Sequence, residues 1–193
     1  MLRRHPAAER TLELERHGLQ YLELDPAQVM VPWNGSPPWA LTTDVGRTLQ
    51  SLAITYPREV GSYQRHVREL LPVAELVLAM TSGAPEVGAV ARRLARLRAR
   101  GLKGLIRISR MSCTEVLREY FRDEALLAAP ATTGPAVWGL DPIRRGTSLG
   151  ALGYEHRHAM PVGRPAGGSG RPPDASERSL RTAVGIGVTR ERL

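Results

Sequence analysis

The N-terminal residues alternate between polar and hydrophobic positions in two different ways. Leu12 and Leu14 stand among charged neighbours, which predicts a short amphipathic helix over 7–17 that ends at Gly18. Residues 19–24 then alternate between the two faces of an extended chain, which predicts a strand with at least one buried face.

Two apolar runs follow, at 29–33 and 37–43, and they flank the dipeptide Asn34-Gly35. Both residues of that dipeptide tolerate positive φ, so the pattern predicts a β-hairpin. Prolines occur in both runs, and a proline cannot donate to the hydrogen-bond ladder of a central strand. The hairpin is therefore predicted at the edge of a sheet.

The next segment has the spacing of amphipathic helices. Asp44 is a favourable N-cap for a helix over 45–55, and Pro57 ends that helix and opens the next one. Hydrophobic residues then recur on one helical stripe as far as residue 80. Pro72 lies inside this stripe and predicts a kink or a division of the helix.

A further helix is predicted over 86–100, because its apolar residues recur every three or four positions. Its opposite face carries Arg92, Arg93, Arg96 and Arg100. Such a face is commonly solvated, and it is also suited to an acidic partner or a membrane surface.

A capping box, Ser112 to Glu115, predicts the start of a helix of about three turns. A second short helix is predicted over 123–129, ending at Pro130. Residues 131–173 are rich in glycine and proline, with one helical stretch over 147–159. The predicted fold class is α+β and mostly helical, with a small antiparallel hairpin.

The final residues are polar and poorly patterned, and Pro172-Pro173 should stop any helix that begins at Gly170. We therefore predict an irregular, disordered tail over 171–193, following one region over 1–170.

Composition narrows the class of protein. The chain has 193 residues, of which 42% are hydrophobic, enough for a packed core. It has no uncharged apolar run of about 18 residues, so no transmembrane segment is predicted. Its start lacks the apolar stretch of a secretory signal, and Cys113 is the single cysteine, which excludes an internal disulfide. A cytoplasmic location is expected.

The formal net charge of +8 invites a nucleic-acid function, because basic residues release counterions from phosphate. However, Lys103 is the only lysine, and the arginines are spread along the chain without a nucleic-acid-binding motif. We predict no nucleic-acid partner.

No set of candidate side chains forms an active site by spacing alone. Cys113 begins a helix, where the helix dipole lowers a thiol's pKa, but a buried apolar role is favoured; Ser112 is favoured as a cap. His156 and His158 could chelate a metal only on a strand, so no metal site is predicted. The isolated histidines are His5, His17 and His66, and the scattered tryptophans, assigned to core packing, are Trp33, Trp39 and Trp138.

A glycine cluster over 161–170, "PVGRPAGGSG", raises the question of a phosphate site. A dinucleotide fingerprint requires G-x-G-x-x-G directly after a buried strand and before a helix. Here the glycines follow a proline-rich loop, so a self-sufficient nucleotide site is not predicted. Backbone amides at 167–170 could still approach an anion.

Several stretches, in order, resemble the phytoene-desaturase-like FAD-dependent oxidoreductases, within the wider amine-oxidase-like flavoproteins. The stretches are "LELERHGLQYLELDP" at 12–26, the hairpin and two helices at 30–67, "SCTEVLREYFRDEALLAAPA" at 112–131 and the segment ending "PAGGSG" at 146–170. The tail departs from the regular Ala/Leu-rich helix that the family has there.

The resemblance implies that this chain is the cap-and-connector region, which shapes an apolar substrate channel over the flavin. The FAD-binding βαβ unit would precede it, and a further flavin-binding portion would follow. Gly167 and Gly168 are the implied cofactor-proximal residues, with no catalytic residue assigned. The chain alone is expected to bind FAD poorly or not at all and to be inactive, and exposed apolar surface could drive association.

Two other interpretations stay open. One is a small non-enzymatic helical binding module that uses the arginine face of 92–100. The other is a vestigial gene product, truncated or frameshifted, without a function.

Overall fold

The computed structural model of the chain describes residues 6–80, 106–160 and 163–184. Within these residues the chain is mostly helical, with two small antiparallel sheets of two strands each, which confirms the predicted fold class. The chain divides into two compact units. Unit 1 comprises Met1–Leu24 and Val162–Leu193, and unit 2 comprises Asp25–Pro161. Unit 2 is thus one continuous segment inserted into the chain of unit 1.

The elements follow in chain order: α1 Pro6–Thr11, β1 Tyr21–Glu23, β2 Gln28–Met30, β3 Trp39–Leu41, α2 Val45–Thr55, a 3₁₀ turn Pro57–Glu59, α3 Val60–Met80, α4 Cys113–Arg118, α5 Glu124–Trp138, a 3₁₀ helix Ser148–Gly153, α6 Glu155–Ala159, β4 Gly163–Pro165 and α7 Arg171–Val184. No described helix has the length and apolar composition that crossing a membrane requires.

Unit 1 brings the two ends of the chain together. Strand β1 pairs antiparallel with β4, with Leu22 opposite Arg164. The pairing extends into the loop, where the Ala166 amide donates to the Gln20 carbonyl over 2.8 Å. Among the described residues of this unit, the small core consists of three buried residues, Leu14, Leu19 and Ala175, with Leu12 and Tyr21 packed against it.

Helix α7 corrects the prediction of an irregular tail over residues 171–184. The prediction failed because Pro172 and Pro173 lie in the first turn of the helix, where amide groups have no intrahelical acceptor. The ladder starts directly after them, since the Asp174 amide donates to the Gly170 carbonyl. Residues 185–193 lie outside the described residues.

Unit 2 begins with the predicted hairpin. Strands β2 and β3 pair antiparallel, with Val29 opposite Ala40, and Gly35 has a φ of +78° in the turn between them. Helix α2 also has its predicted bounds. Its N-cap is Asp44, whose carboxylate accepts a hydrogen bond from the Arg47 amide over 2.8 Å. The hairpin and helix α2 were both predicted from residues that are neighbours in the sequence.

Helix α3 runs through Pro72 without being divided, so of the two predicted outcomes, a kink or a division, the division is wrong. A proline inside a helix costs roughly 3 kcal/mol. The neighbouring Leu70, Val73 and Leu76 are buried, and each contributes roughly 1.5–3 kcal/mol through burial. The burial of these three side chains, which lie before and after Pro72 in the helix, therefore outweighs the hydrogen bond that the proline removes. The helix predicted over 86–100, with its arginine face, lies outside the described residues.

Helix α4 starts at the predicted capping box but has only six residues, half the predicted length. Helix α5 continues past Pro130, where we predicted a stop. Because a proline has no amide hydrogen, the carbonyl of Leu126, four residues earlier, loses its helical donor. The buried Tyr154 hydroxyl donates to that carbonyl over 2.8 Å. A contact from a distant part of the chain thus makes the helix possible.

The core of unit 2 is aromatic at its centre. The Tyr63 ring lies 6.1 Å from Trp39, 5.2 Å from Tyr154 and 6.3 Å from Phe121, measured between ring centroids. Leucine, valine and alanine side chains surround these rings. The predicted helical stretch over 147–159 is divided into the 3₁₀ helix and α6 and packs against this core.

Candidate functional site

The predicted cofactor-proximal glycines lie in the turn that joins β4 to α7. The Gly168 amide donates to the Pro165 carbonyl over 3.1 Å, and Gly167 has a φ of +83° at the third position of that turn. This is the geometry of a type II turn, which favours glycine at that position. The glycine segment therefore directly precedes a helix, where an irregular tail was predicted.

The backbone explains both glycines without a ligand. At Gly167 a Cβ atom would lie 2.7 Å from Nε of Arg171, and the positive φ alone disfavours a side chain. Gly168 has open space around it, but its φ of +95° is a conformation that other residues rarely adopt. Their proximity to a flavin stays a prediction.

The first turn of α7 is poorly suited to hold a pyrophosphate. Anion sites at helix N-termini use free backbone amides in the first turn. Here the Arg171 amide already donates to Gly168 over 3.2 Å, and Pro172 and Pro173 have no amide hydrogen. The carboxylate of Asp174 adds a negative charge to the same turn. The residues of this segment therefore do not fit the phosphate part of FAD.

The most polar feature of the buried interior is in unit 2. His66 of α3 and Glu155 of α6 have fully buried side chains, and His66 Nδ1 lies 2.5 Å from Glu155 Oε1. The imidazole is surrounded by rings, with Tyr120 at 4.7 Å and Phe121 at 5.0 Å between centroids. The sequence pattern describes His66 as isolated, and the structure corrects that description.

A second polar contact joins the same two helices. The Tyr63 hydroxyl lies 2.8 Å from Nε2 of His158, and Nδ1 of His158 lies 3.2 Å from the Thr43 carbonyl oxygen. Burial, followed by the charge of Glu155, raises the pKa of Tyr63 well above its usual value. Burial lowers the pKa of His158. Both effects favour neutral side chains at this contact.

This cluster is a core element and not a place for a substrate. The side chains of Tyr63, His66, Tyr154 and Glu155 have at most 1% of their surface exposed, so no ligand reaches them. The arrangement can hold helices α3 and α6 together through polar contacts whose hydrogen bonds depend on which atoms carry a proton. We name His66, Glu155, Tyr63 and His158 the polar latch.

The other sequence candidates are structural. Burial raises the pKa of the Cys113 thiol to about 11, which outweighs the predicted lowering by the helix dipole and keeps the thiol protonated at neutral pH. Ser112 forms the predicted cap, since its hydroxyl accepts from the Glu115 amide and its amide donates to the Glu115 carboxylate. Both ring nitrogens of His158 have partners, which explains why it is not available to a metal.

The remaining aromatic and metal predictions have mixed outcomes. Trp39 is buried in the core, as predicted, whereas Trp33 is 68% exposed and does not pack there. The side chain of Trp138 is outside the described part of the chain. Among the described residues, no group of three or more histidine, cysteine, aspartate or glutamate side chains could hold a metal ion.

An open cleft of about 720 Å³ lies on unit 2 between α2, α3 and the start of α5. The cleft is lined by Thr55, Tyr56, Pro57, Arg58, Glu59, Ser62, Arg122 and Asp123. The Glu59 carboxylate in its wall accepts hydrogen bonds from the backbone amides of residues 122 and 123, at 3.0 and 3.1 Å. That carboxylate therefore fixes the backbone and is not a free acid or base.

The polar latch was missed because its partners are far apart in sequence, 95 residues in the case of Tyr63 and His158. One signal was present. Tyr63 and His66 are three positions apart on a helix, and so are Glu155 and His158, which puts each pair on one helical face. No protein-family model matches the chain, and neither a curated protein nor a solved structure matches it.

Proposed function

We propose that this chain is the cap-and-connector part of a phytoene-desaturase-like FAD-dependent oxidoreductase that acts on an apolar substrate. In such an enzyme the flavin supplies the hydride chemistry, and the cap shapes the space for the substrate. The chain's own residues would bind and enclose the substrate, and we assign no catalytic residue to them. The resemblance of the sequence motifs in order is the basis of the proposal.

The observation that best supports the proposal is the connectivity of the two units. Unit 1 is built from both ends of the chain, whereas unit 2 is one continuous insertion. This is what a helical cap inserted into a larger domain requires. The strand β4, the glycine turn and α7 follow directly where the chain returns to unit 1, at the segment that carries the "PAGGSG" resemblance.

A second support is the apolar surface of unit 2. Val31, Trp33 and Ile54 are 76%, 68% and 77% exposed. Large apolar side chains that are exposed to solvent are available for contact with a ligand or another protein. A cap that works with further protein parts and an apolar substrate is expected to have such residues.

The first test is the flavin content of the purified chain. We expect no stoichiometric flavin absorbance after expression or after addition of FAD, because the first turn of α7 lacks free amides for a pyrophosphate. A yellow protein with one flavin per chain would overturn the proposal that the redox part lies elsewhere.

The second test is the genomic DNA on both sides of the coding sequence. The proposal expects an upstream reading frame for a Val/Ile-rich strand, a G-x-G-x-x-G turn and a helix. It expects a flavoprotein-like segment downstream, in any frame. Unrelated genes on both sides, together with a chain that folds stably alone, would contradict a flavoprotein cap.

A further inference from the structure

The loop between strands β2 and β3 contains the dipeptide Asn34-Gly35, and Asn34 is the only asparagine of the chain. The loop runs from residue 31 to residue 38, and both residues of the dipeptide are exposed in it. The positive φ of Gly35 is explained by the turn. The turn does not explain why the residue before this glycine carries a side-chain amide, which is a reactive group.

The backbone nitrogen of Gly35 is free to act as a nucleophile. Within the described residues its hydrogen is donated to no acceptor, because the pairing of β2 with β3 ends at Met30 and Trp39. Apart from its chain neighbours, no atom lies within 4 Å of the position that a Cβ of Gly35 would take. Hydroxide from solvent can therefore remove the amide hydrogen, and no side chain crowds the nitrogen.

The side-chain carbonyl of Asn34 is held over the peptide that follows it. The Ser36 amide donates a hydrogen bond to Asn34 Oδ1 over 3.0 Å, which closes a turn between the side chain and the backbone two residues on. When a nucleophile attacks Cγ of Asn34, negative charge develops on this same oxygen. A donor that is already in place stabilises that charge, so the Ser36 amide assists the attack.

We propose that Asn34 is a site of intramolecular deamidation in the folded protein. The Gly35 nitrogen loses its hydrogen to hydroxide and forms a bond to Cγ of Asn34, while the side-chain nitrogen takes up a proton from water and leaves as ammonia. The product is a five-membered succinimide. Water then opens the ring at either carbonyl, which yields aspartate or isoaspartate. No electrons are transferred, and water is the only co-reactant.

The reaction changes the chemistry of an exposed apolar loop. The new carboxyl group, with an ordinary pKa of about 3.9, is charged at neutral pH and adjoins Trp33, which is 68% exposed. The formal net charge of +8 falls by one unit. We expect the fold to persist, because the Thr55 hydroxyl ties the loop to α2 through the Pro37 carbonyl, over 3.1 Å, and neither group reacts. The chemistry requires no flavin, so its test is separate from that of the proposed function.

The experiment incubates the full chain at mildly alkaline pH and follows the peptide that contains residue 34 by mass spectrometry. We expect a mass gain of about one dalton that increases with time and with pH, with part of the product as isoaspartate, which direct hydrolysis of the side chain does not give. The modified chain should elute earlier from a cation exchanger. The four glutamines are internal controls, because their longer side chains would have to close a six-membered ring.

Two variants separate the parts of the site. In Gly35→Ala the methyl group has space in the fold but crowds the nitrogen, so the reaction should slow several-fold. Ser36→Ala is the matched control, because it keeps the amide that donates to Asn34 Oδ1, and its rate should be unchanged. An equal slowing in both variants would overturn the assigned role of the Gly35 nitrogen.

The denatured chain keeps the test decisive if Gly35→Ala does not fold. In guanidinium chloride the hydrogen bond to Asn34 Oδ1 is lost, so the folded chain should deamidate at least as fast as the denatured chain at the same pH. A folded chain that keeps Asn34 intact, or that reacts more slowly than the denatured chain, would overturn the proposal. A product without isoaspartate would do the same.

Discussion

Each of the two units of the molecule is stabilised internally by a different kind of contact. Unit 2 has a contiguous core in which the rings of Tyr120, Phe121 and Tyr154 contact His66, which pairs with the buried Glu155. In the described part of unit 1 the core has three residues, and polar contacts to the backbone add to it. Arg178 donates twice to the His17 carbonyl, at 2.9 and 2.6 Å.

This difference predicts where each unit is sensitive. In unit 2, changes of side chains remove buried volume or leave buried polar atoms without partners, so large effects on the free energy of unfolding are expected. In unit 1 little apolar area is buried, and the positions that matter are those where the backbone has an unusual conformation. Substitutions there should act locally and cost less.

The largest expected effect is in the polar latch. Glu155→Ala leaves His66 buried among rings without its partner, and such a loss typically destabilises by about 3–5 kcal/mol. Urea denaturation followed by circular dichroism measures the free energy of unfolding. The matched control is Glu124→Ala, whose contact with Arg118 at 3.8 Å is exposed and is expected to contribute less than about 1 kcal/mol.

A double variant decides whether pairing is the cause. In His66→Leu with Glu155→Leu no polar side chain of the pair stays buried without its partner, so the combined cost should be smaller than the sum of the single costs. Additive costs would show that the two side chains act separately, and the polar latch would then not be a unit.

The next effect concerns the helix that passes through Pro130. Tyr154→Phe removes the hydroxyl that donates to the Leu126 carbonyl, and leaving that buried acceptor without a partner costs roughly 1–3 kcal/mol. Pro130→Ala restores an amide that can donate to the same carbonyl. The tyrosine substitution should therefore cost less when it is combined with Pro130→Ala, as measured by urea denaturation of the unsubstituted protein, the two single variants and the double variant.

Pro130 also shows which parts of the fold could be predicted from sequence. The hairpin at Asn34-Gly35 and the cap at Asp44 were predicted correctly because their signals and partners are neighbours in the chain. The stop at Pro130 was wrong because its lost hydrogen bond is replaced by Tyr154 from elsewhere in the chain. Residue spacing does not contain that contact.

The candidate site was predictable to a similar extent. Gly167 and Gly168 were singled out through the resemblance, but the helix that directly follows them was not predicted, and their proximity to a flavin stays a prediction. The partner of His66 could not be found, because Glu155 comes close only through the packing of α6 on α3. A buried contact between a histidine and a glutamate depends on tertiary geometry, which a single sequence does not reveal.

Alanine substitutions at two glycines should have smaller effects on stability, opposite in sign, and they test the packing against α5. At Gly153 a Cβ atom would lie 3.1 Å from Cα of Pro130, so Gly153→Ala overpacks the contact and should cost about 1–3 kcal/mol. Gly61 lies in α3 with open space around its Cβ position, and Gly61→Ala should stabilise by up to about 1 kcal/mol. Thermal denaturation should move in opposite directions for the two variants. Equal shifts would contradict the close packing at Pro130.

The smallest expected effect lies in unit 1 and is local. Gly168→Ala has space for its methyl group but must adopt a φ of +95°, a strain of roughly 1–2 kcal/mol that falls on the turn before α7. Hydrogen exchange should become faster at the Ala166 and Asp174 amides, while the near-ultraviolet signal of the aromatic cluster in unit 2 stays unchanged.

Gly170→Ala is the matched control, because Gly170 also has open space but no positive φ. Since the two glycines are two positions apart in the same loop, a difference between the variants isolates backbone conformation as the cause. If both variants exchange alike, the turn tolerates alanine at Gly168, and the need for glycine there has to come from something that approaches the turn from outside the chain.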